Sequence, residues 1–492
     1  MHTKIKIHYF MIKKYFAAIA IAFLTLHFSP IQAQVGEVTF FPKGKIVAKT
    51  FEPRFIGSQN GQVVFVEMTG RLRNKMELAS YDLEQNELAR TALTDDKEVE
   101  CYGGYINGDS IDLLMAETKD NGMKVYRLRR DAKTLLPSSN PVLTLADFKG
   151  TQGDRMAFAP GISPNQELLA GLFLIGRENQ RGEVQVALYN RELEEYWKMD
   201  SRCRQFDMFY VTDSGEVLLG NYTKGKFNLY ILDGEHEEVY SFEADATFTE
   251  IQIARYANGK VFLVYTHSGK EVAVGPGTMI DHIGVICFDT KSQTVKVDRH
   301  NIDKQEYNRL NNEKDDARVR KDDYRVMYMS LNQTLEDKDG CYAMLDQSWR
   351  LTLDGVPTEF NRMGMMVCRI NDNGTFDWVK TFRVSNITSW EERNLASYRW
   401  VKSEKGPLLL WVESKSSYDN PEEKTIKDFK SLNSAGILSA LLLNSDGSSL
   451  RQHYEISSKQ ALLGAPHLLE GNEYLLLIRG QSRGHFAKFK VQ

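Results

Sequence analysis

The chain is poor in proline and cysteine, with 12 and five among 492 residues. That scarcity of proline, with 42% hydrophobic and 11% aromatic residues, excludes a collagen-like or disordered polymer. An excess of one charge is missing too. With 62 basic against 66 acidic residues there is no basic surplus to hold nucleic acid, and no nucleic-acid partner is expected. Cys101, Cys203, Cys287, Cys341 and Cys368 are odd in number and never spaced as CxxC, which excludes a complete disulfide framework and a metal knuckle. Buried free thiols are the expected state, with Cys341 and Cys368 able to bridge only if their strands are neighbours. Beyond residue 33 no run of about 18 apolar residues occurs, so no integral membrane segment is expected there.

Residues 1–33 read as a secretory signal peptide. Lys13 and Lys14 supply the positive region, Tyr15 to Phe28 the apolar stretch, and Ile31-Gln32-Ala33 the small-residue site, with cleavage expected before Gln34. Met11 would give a signal of more usual length. The expected location is periplasmic or secreted. Cleavage removes four lysines and no acid, leaving a more acidic chain.

Residues 34–492 read as one repeat domain. Alternating apolar stretches broken by Asp, Asn and Gly turns recur throughout: MELASYDLEQNELARTAL (76–93), MKVYRLRRDAKTLL (123–136), VQVALYNRELEEYWKM (184–199), FNLYILDGEHEEVYSF (227–242), IGVICFDTKSQTVKV (283–297), MMVCRINDNGTFDWVKTF (365–382) and LSALLLNSDGSSLRQHY (438–454). Period-two alternation into such turns is the hairpin signature. Each copy follows a second hairpin, with turns at Asn60-Gly61, Asn107-Gly108, Ser163 to Asn165, Asp213 to Gly215, Asn258-Gly259, Asp339-Gly340, Lys405-Gly406 and Gly471-Asn472. The strands after these turns, such as VVFVEM (63–68) and LLLWV (408–412), are almost continuously apolar, which implies burial on both faces.

Two hairpins per unit make a four-stranded antiparallel sheet. Eight such units in series predict an all-β β-propeller of eight blades. The eighth unit lacks its last strand, and EVTFFPKGKIVAKTF (37–51) reads as the missing one, which would close the ring and remove an exposed edge. Seven blades follow if one unit is wrongly divided. Tandem β-sandwiches are the competing architecture.

The long connections are unevenly placed. With strands labelled A to D from the axis outward, His267 to Met279, Gln347 to Asn361 and Ser414 to Ser434 are B–C connections, while Asp303 to Tyr324 and Ser385 to Asn394 are D–A connections. All five fall on one face, in units five to seven, and binding concentrates in such insertions. Trp349 in QSWRLTLDG and Trp390 in NITSWEERN are costly in polar loops unless they pack or bind a sugar, peptide or cation. Arg350, Glu391, Glu392 and Arg393 beside them offer directional hydrogen bonds. Trp349, Arg350, Trp390, Glu391 and Arg393 are therefore the candidate ligand-binding residues. Trp378, Trp400 and Trp411 lie on strands and read as packing between blades.

Catalytic signatures are absent: no GxSxG, HExxH, GxxxxGK[ST] or GxGxxG stands in a suitable context. His267 and His282 flank one insertion, but no third ligand is evident, so neither a metal nor a cofactor is expected. DKDG (337–340) and INDNG (370–374) are turn chemistry, and the charged stretch 303–324 reads as a solvated short helix or loop. Glu100, Asp154, Asp207 and Glu250 lie near inner strands, where glycosidases and lyases gather channel-mouth carboxylates.

The repeats, the signal and copies such as RINDNGTFDWVKTF resemble exported propeller-like proteins of Gram-negative bacteria. The resemblance implies a periplasmic or secreted location and transfers no catalytic residue. The expected function is non-catalytic binding of a protein, peptide or glycan on the insertion-bearing face, with a polysaccharide hydrolase or lyase as the alternative.

Overall fold

The computed structural model describes residues 35–40, 46–47, 53–69, 75–119, 122–149, 154–177, 182–223, 226–243, 248–267, 279–311, 326–327, 329–353, 356–389, 399–403, 405–414, 429–430, 436–456, 460–462, 466–480 and 483–491. The signal-peptide segment, Trp390, Glu391 and Arg393 lie outside them.

Eight antiparallel sheets follow one another along the chain as an all-β propeller. Blade 1 runs Arg54–Gln59, Gln62–Thr69, Lys75–Asp82 and Glu87–Thr94 as strands A to D. Blades 2 to 4 occupy 99–148, 154–201 and 208–243. Blade 5 is Phe248–Ala257, Lys260–His267, His282–Asp289 and Thr294–Asn301, and blade 6 is Met329–Asp337, Gly340–Leu353, Val356–Asn371 and Phe376–Phe382. Blade 7 is Arg399–Ser403, Gly406–Ser414, Gly436–Leu443 and Ser449–Glu455. Blade 8 has a divided A strand, Gln460–Leu462 and His467–Glu470, then Glu473–Gly480 and Arg483–Val491. Its fourth strand comes from the other end of the chain: Gly36–Phe40 pairs antiparallel with Arg483–Val491, Gly36 facing Val491 and Phe40 facing Ala487. Both the sandwich and the seven-blade alternatives give way to this order, because every A–B turn named from the sequence opens its own sheet.

Local chemistry explains the repetition. At the C–D turns of blades 1 to 6, Asp82, Asp131, Asn190, Asp233, Asp289 and Asn371 each accept a backbone N–H from two to four residues ahead. These are Asx turns, in which a short polar side chain replaces a backbone acceptor. Each turn then needs a left-handed residue, filled by Gln85, Leu135, Leu193, Gly234, Gln293, Gly374 and, in blade 7, Gly447. Glycine stands where the previous blade presses closest. A Cβ on Gly234 would meet the Trp197 ring at 2.6 Å, and one on Gly447 the Trp378 ring at 2.9 Å.

Packing follows from the sheet order. The B and C strands are mainly apolar because both faces meet a neighbouring blade; Val63, Leu78, Leu263 and Ile283 are fully buried. Outer strands such as Thr294–Asn301 are largely exposed and charged, which blunts an edge against pairing. Apolar clusters join each pair of successive blades, and one of them combines blades 7, 8 and 1 through Leu408, Leu476, Phe486 and Phe65. Trp400 and Trp411 are buried in the contact between blades 6 and 7, and Trp378 donates its indole N–H to Ser445 at 3.0 Å. All five cysteines are buried and free. Cys341 and Cys368 do lie on neighbouring strands, but they face Ile370 and Ala343 respectively rather than each other.

Candidate functional site

The described parts of the blade 5 to 7 insertions build structure at the end of the sheets where the B–C and D–A connections lie; 268–278, 312–325, 390–398, 415–428 and 431–435 lie outside the described residues. Residues 347–353 and 356–361, expected as a loop, are strand. The B and C strands of blade 6 run on past their A-strand neighbour, which pairs only as far as Gln347, and form a ribbon up to Leu353 opposite Val356. Asn386–Ser389, expected as part of a loop, pairs with Glu359–Arg362 at the ribbon base, and Phe429–Lys430 adds in parallel beside it.

Alternation along this ribbon places Trp349, Leu351 and Leu353 on one face, with Val356 opposite Leu353. Trp349 is half-buried, whereas Leu351, Leu353 and Val356 are 48%, 67% and 63% exposed. Arg350 is exposed on the other face, across from Phe360. Of the five residues singled out from sequence, the structure thus places Trp349 and Arg350 on the same strand but on opposite faces. The three aliphatic residues beside Trp349 carry no polar signal and were missed.

Beneath the ribbon is a buried polar layer. Asp346 is ion-paired with Arg362 at 2.8 Å and accepts from Asn332 at 3.0 Å, and Gln347 donates to Asn311 at 3.2 Å. Asn311 caps the helix Lys304–Leu310 (α1), which opens the 303–324 connection. This helix was expected to be solvated. It is docked instead, with Asn308 and Leu310 fully buried and Leu310 packed over Gly364. Its start is fixed by a capping box in which Asp303 accepts the Glu306 N–H at 2.8 Å and Glu306 accepts the Asp303 N–H at 3.1 Å. His300 lies 2.9 Å from Glu306, and this hydrogen bond raises the imidazole pKa above its usual value.

His267 and His282 do converge. They face each other across the B and C strands of blade 5, with ring centroids 4.2 Å apart and planes 23° from parallel. Asp281 puts one carboxylate oxygen 3.1 Å from Nδ1 of His267 and 2.8 Å from Nδ1 of His282. Burial pushes the His282 pKa down, with its neighbour His267 adding to the effect.

The inner-strand carboxylates are held separately. Asp207 accepts the Tyr222 N–H at 3.0 Å, Glu100 hydrogen-bonds Tyr102, and Glu250 accepts the Leu331 N–H at 2.6 Å. Among the described residues no hydrogen bond or ion pair joins Glu100, Asp207 and Glu250 to one another. The side chain of Asp154 lies outside the description. Burial raises the Glu250 pKa, opposed by its bonds to Leu331 and Ser330. The opposite, short-turn end carries two open grooves between blades. One of about 580 Å³ is lined by Arg129, Glu167 and Arg191, and one of about 550 Å³ by Tyr196, Trp197 and Asp213.

No protein-family model and no curated protein matches the chain. Among solved structures it is similar to the WD40 domain of SCAP from fission yeast, at 10% identity and a TM-score of 0.39, over 93% of this chain and 98% of that one. It is also similar to the β-propeller domain of the Trilobed protease from Pyrococcus furiosus, at 10% identity and a TM-score of 0.34, over 85% and 97%. A polysaccharide lyase, an ulvan lyase, is similar at 10% identity and a TM-score of 0.38, over 92% and 96%.

Proposed function

We propose that the chain is an exported, non-catalytic binding propeller that recognises a protein or peptide through the ribbon of blade 6. The observation that carries this reading is the row Trp349, Leu351, Leu353 and Val356, three of which are largely exposed on an element that extends past the A strand of its blade. Exposed aliphatics on a projecting ribbon form a compact apolar surface, and a half-buried indole at its root supplies a rigid anchor of the kind that dominates interfaces. Arg350 lies exposed on the ribbon as well, and can order the polar rim of such a contact.

The test is a photo-crosslinking residue at position 353, with position 239 on an outer strand of blade 4 as control, followed by mass spectrometry. A recurrent protein adduct at 353, absent at 239 and abolished by Leu351→Asp, supports the reading. Equal labelling at both positions, or binding to a glycan array unaffected by Leu351→Asp, would overturn it. Export enters the same proposal and is checked by N-terminal sequencing of the mature chain, which is expected to begin at Gln34.

A further inference from the structure

We propose that His267, Asp281 and His282 form a binding site for one divalent first-row transition cation of the zinc class. The three residues end one strand and begin the next, so their main chain is fixed before any ligand arrives. His267 closes the B strand of blade 5 and His282 opens the C strand directly opposite it. Asp281 sits between them in space. Its N–H donates to the His267 carbonyl at 3.1 Å, and its own carbonyl accepts the Ile302 N–H at 3.0 Å. The preceding residues Met279–Ile280 pair with Val326–Met327, which anchors the approach to the aspartate.

The donor atoms lie close together. Two of the three donor–donor edges are 2.8 and 3.1 Å, and all three atoms lie within 4.8 Å of one another. A tetrahedral site with bonds of about 2.0–2.1 Å has edges of about 3.3–3.4 Å, so a bound ion requires only small side-chain rotations. Among the described residues Nε2 of His282 is buried without a hydrogen-bond partner, which leaves Nδ1 as the engaged nitrogen of that ring. Two imidazoles packed face to face against a single carboxylate oxygen have no need of one another as hydrophobic filling. A cation at their focus would displace the Nδ1 protons that face Asp281 and give both nitrogens and the carboxylate one shared partner.

The donor set decides the class of ion. Two imidazole nitrogens and one carboxylate oxygen suit zinc, copper, nickel or cobalt, whereas calcium and magnesium require six or more oxygens or an aquo shell. Three protein ligands also leave one position of a tetrahedron free. The Asp281 and His267 side chains are 34% and 17% exposed, so that position opens to solvent and can take water or a donor from another molecule. Asp281 and His282 are adjacent in sequence and only His267 is distant, which is why no ligand spacing betrayed the set.

The experiment uses the full chain without a polyhistidine tag, stripped with EDTA and titrated calorimetrically with zinc chloride. One saturable site with a dissociation constant in the micromolar range or tighter is expected, with no response to millimolar magnesium. His267→Ala and Asp281→Ala should each weaken zinc binding more than tenfold. His236→Ala and His300→Ala, which remove other histidines lying beside carboxylates, should leave it unchanged. Absence of saturable binding by the unaltered chain, or undiminished binding by His267→Ala and Asp281→Ala, overturns the proposal. Should those variants fail to fold, X-ray absorption on the zinc-loaded unaltered chain decides: two imidazoles and an oxygen support the site, and a shell without imidazole refutes it.

Discussion

Tyr210 of blade 4 donates its hydroxyl to the carboxylate of Glu336 in blade 6, so the two inner strands are tied across the blade that separates them. The intervening inner strand of blade 5 contributes Arg255, which favours the charged form of the same carboxylate and itself pairs with Asp372. Burial pushes the Glu336 pKa up, and the tyrosine and arginine hold it back. Tyr210→Phe is expected to destabilise the fold by about 0.5–1.5 kcal/mol, because a half-buried acceptor loses its donor. Glu336→Gln should cost less, since the amide still accepts. Denaturant unfolding followed by circular dichroism measures both, and unchanged midpoints would show that water satisfies the pair.

Arg90 compensates a buried charge. Glu67 is 1% exposed on the B strand of blade 1, where it accepts from Tyr81 at 2.7 Å and pairs with Arg90 at 2.9 Å. Blade 7 repeats the device, with Glu413 buried against Ser439 and Arg451. Arg90→Met should cost about 3–5 kcal/mol by stranding the carboxylate, while Arg90→Met with Glu67→Leu should recover much of it. A double variant no more stable than the single one would count against this account.

Gly36 has no room for a side chain. A Cβ there would lie 2.3 Å from the Lys490 carbonyl and 2.9 Å from the Phe489 ring. Gly36→Ala is therefore expected to lower stability by about 1–3 kcal/mol through strain in the eighth sheet. The measurement is a shift in the unfolding midpoint, accompanied by faster hydrogen exchange in 483–491 but not in the inner blades. Uniformly altered exchange would place the effect elsewhere.

The His300–Glu306 contact sets a pH dependence. Its imidazole pKa is raised in the folded chain, chiefly by the Glu306 hydrogen bond, so the folded state holds the proton more tightly than the unfolded one. The associated stability is fully present below about pH 6.5 and is lost as pH rises through the folded value. With His300 about a third exposed, the contribution is below about 1 kcal/mol. His300→Gln should match the parent protein in stability at pH 8 and fall behind it at pH 6. A gap that widens with rising pH would contradict the assignment.

Leu351→Asp with Leu353→Asp should leave stability within about 0.5 kcal/mol of the parent, as both side chains are largely exposed. Loss of the crosslinked partner without loss of stability then separates a binding role from a structural one.

The blade order was legible because turn chemistry is local: Asn60-Gly61, Asn258-Gly259 and the aspartates of the C–D turns specify their hairpins from a few neighbouring residues. The ribbon was legible in principle. Trp349, Leu351 and Leu353 alternate into Asp354-Gly355, the same hairpin signal that was accepted elsewhere, but the polar residues between them suggested a loop. Asp303 and Glu306 likewise spell a capping box, although nothing local says that Leu310 will dock on Gly364. Asp281 lay hidden for a different reason. Its partnership with His267 depends on the register of two strands, and that register is set by packing across the whole blade.

The pairing of Gly36–Phe40 with the last strand bears on how the chain acquires its structure. Val35 donates to Gln452, and the Tyr454 hydroxyl donates to Gly36, across sequence separations of 417 and 418 residues. Contacts so distant are slow to form, because the entropy of closing a long loop precedes any gain from it. During synthesis the first strand emerges hundreds of residues before its partner. Until the two meet, the hairpin Glu473–Gly480 and Arg483–Val491 presents a bare edge that another copy could occupy. Swapping of this first strand between chains, rather than disorder in any blade, is therefore the misassembly to which this topology is most open.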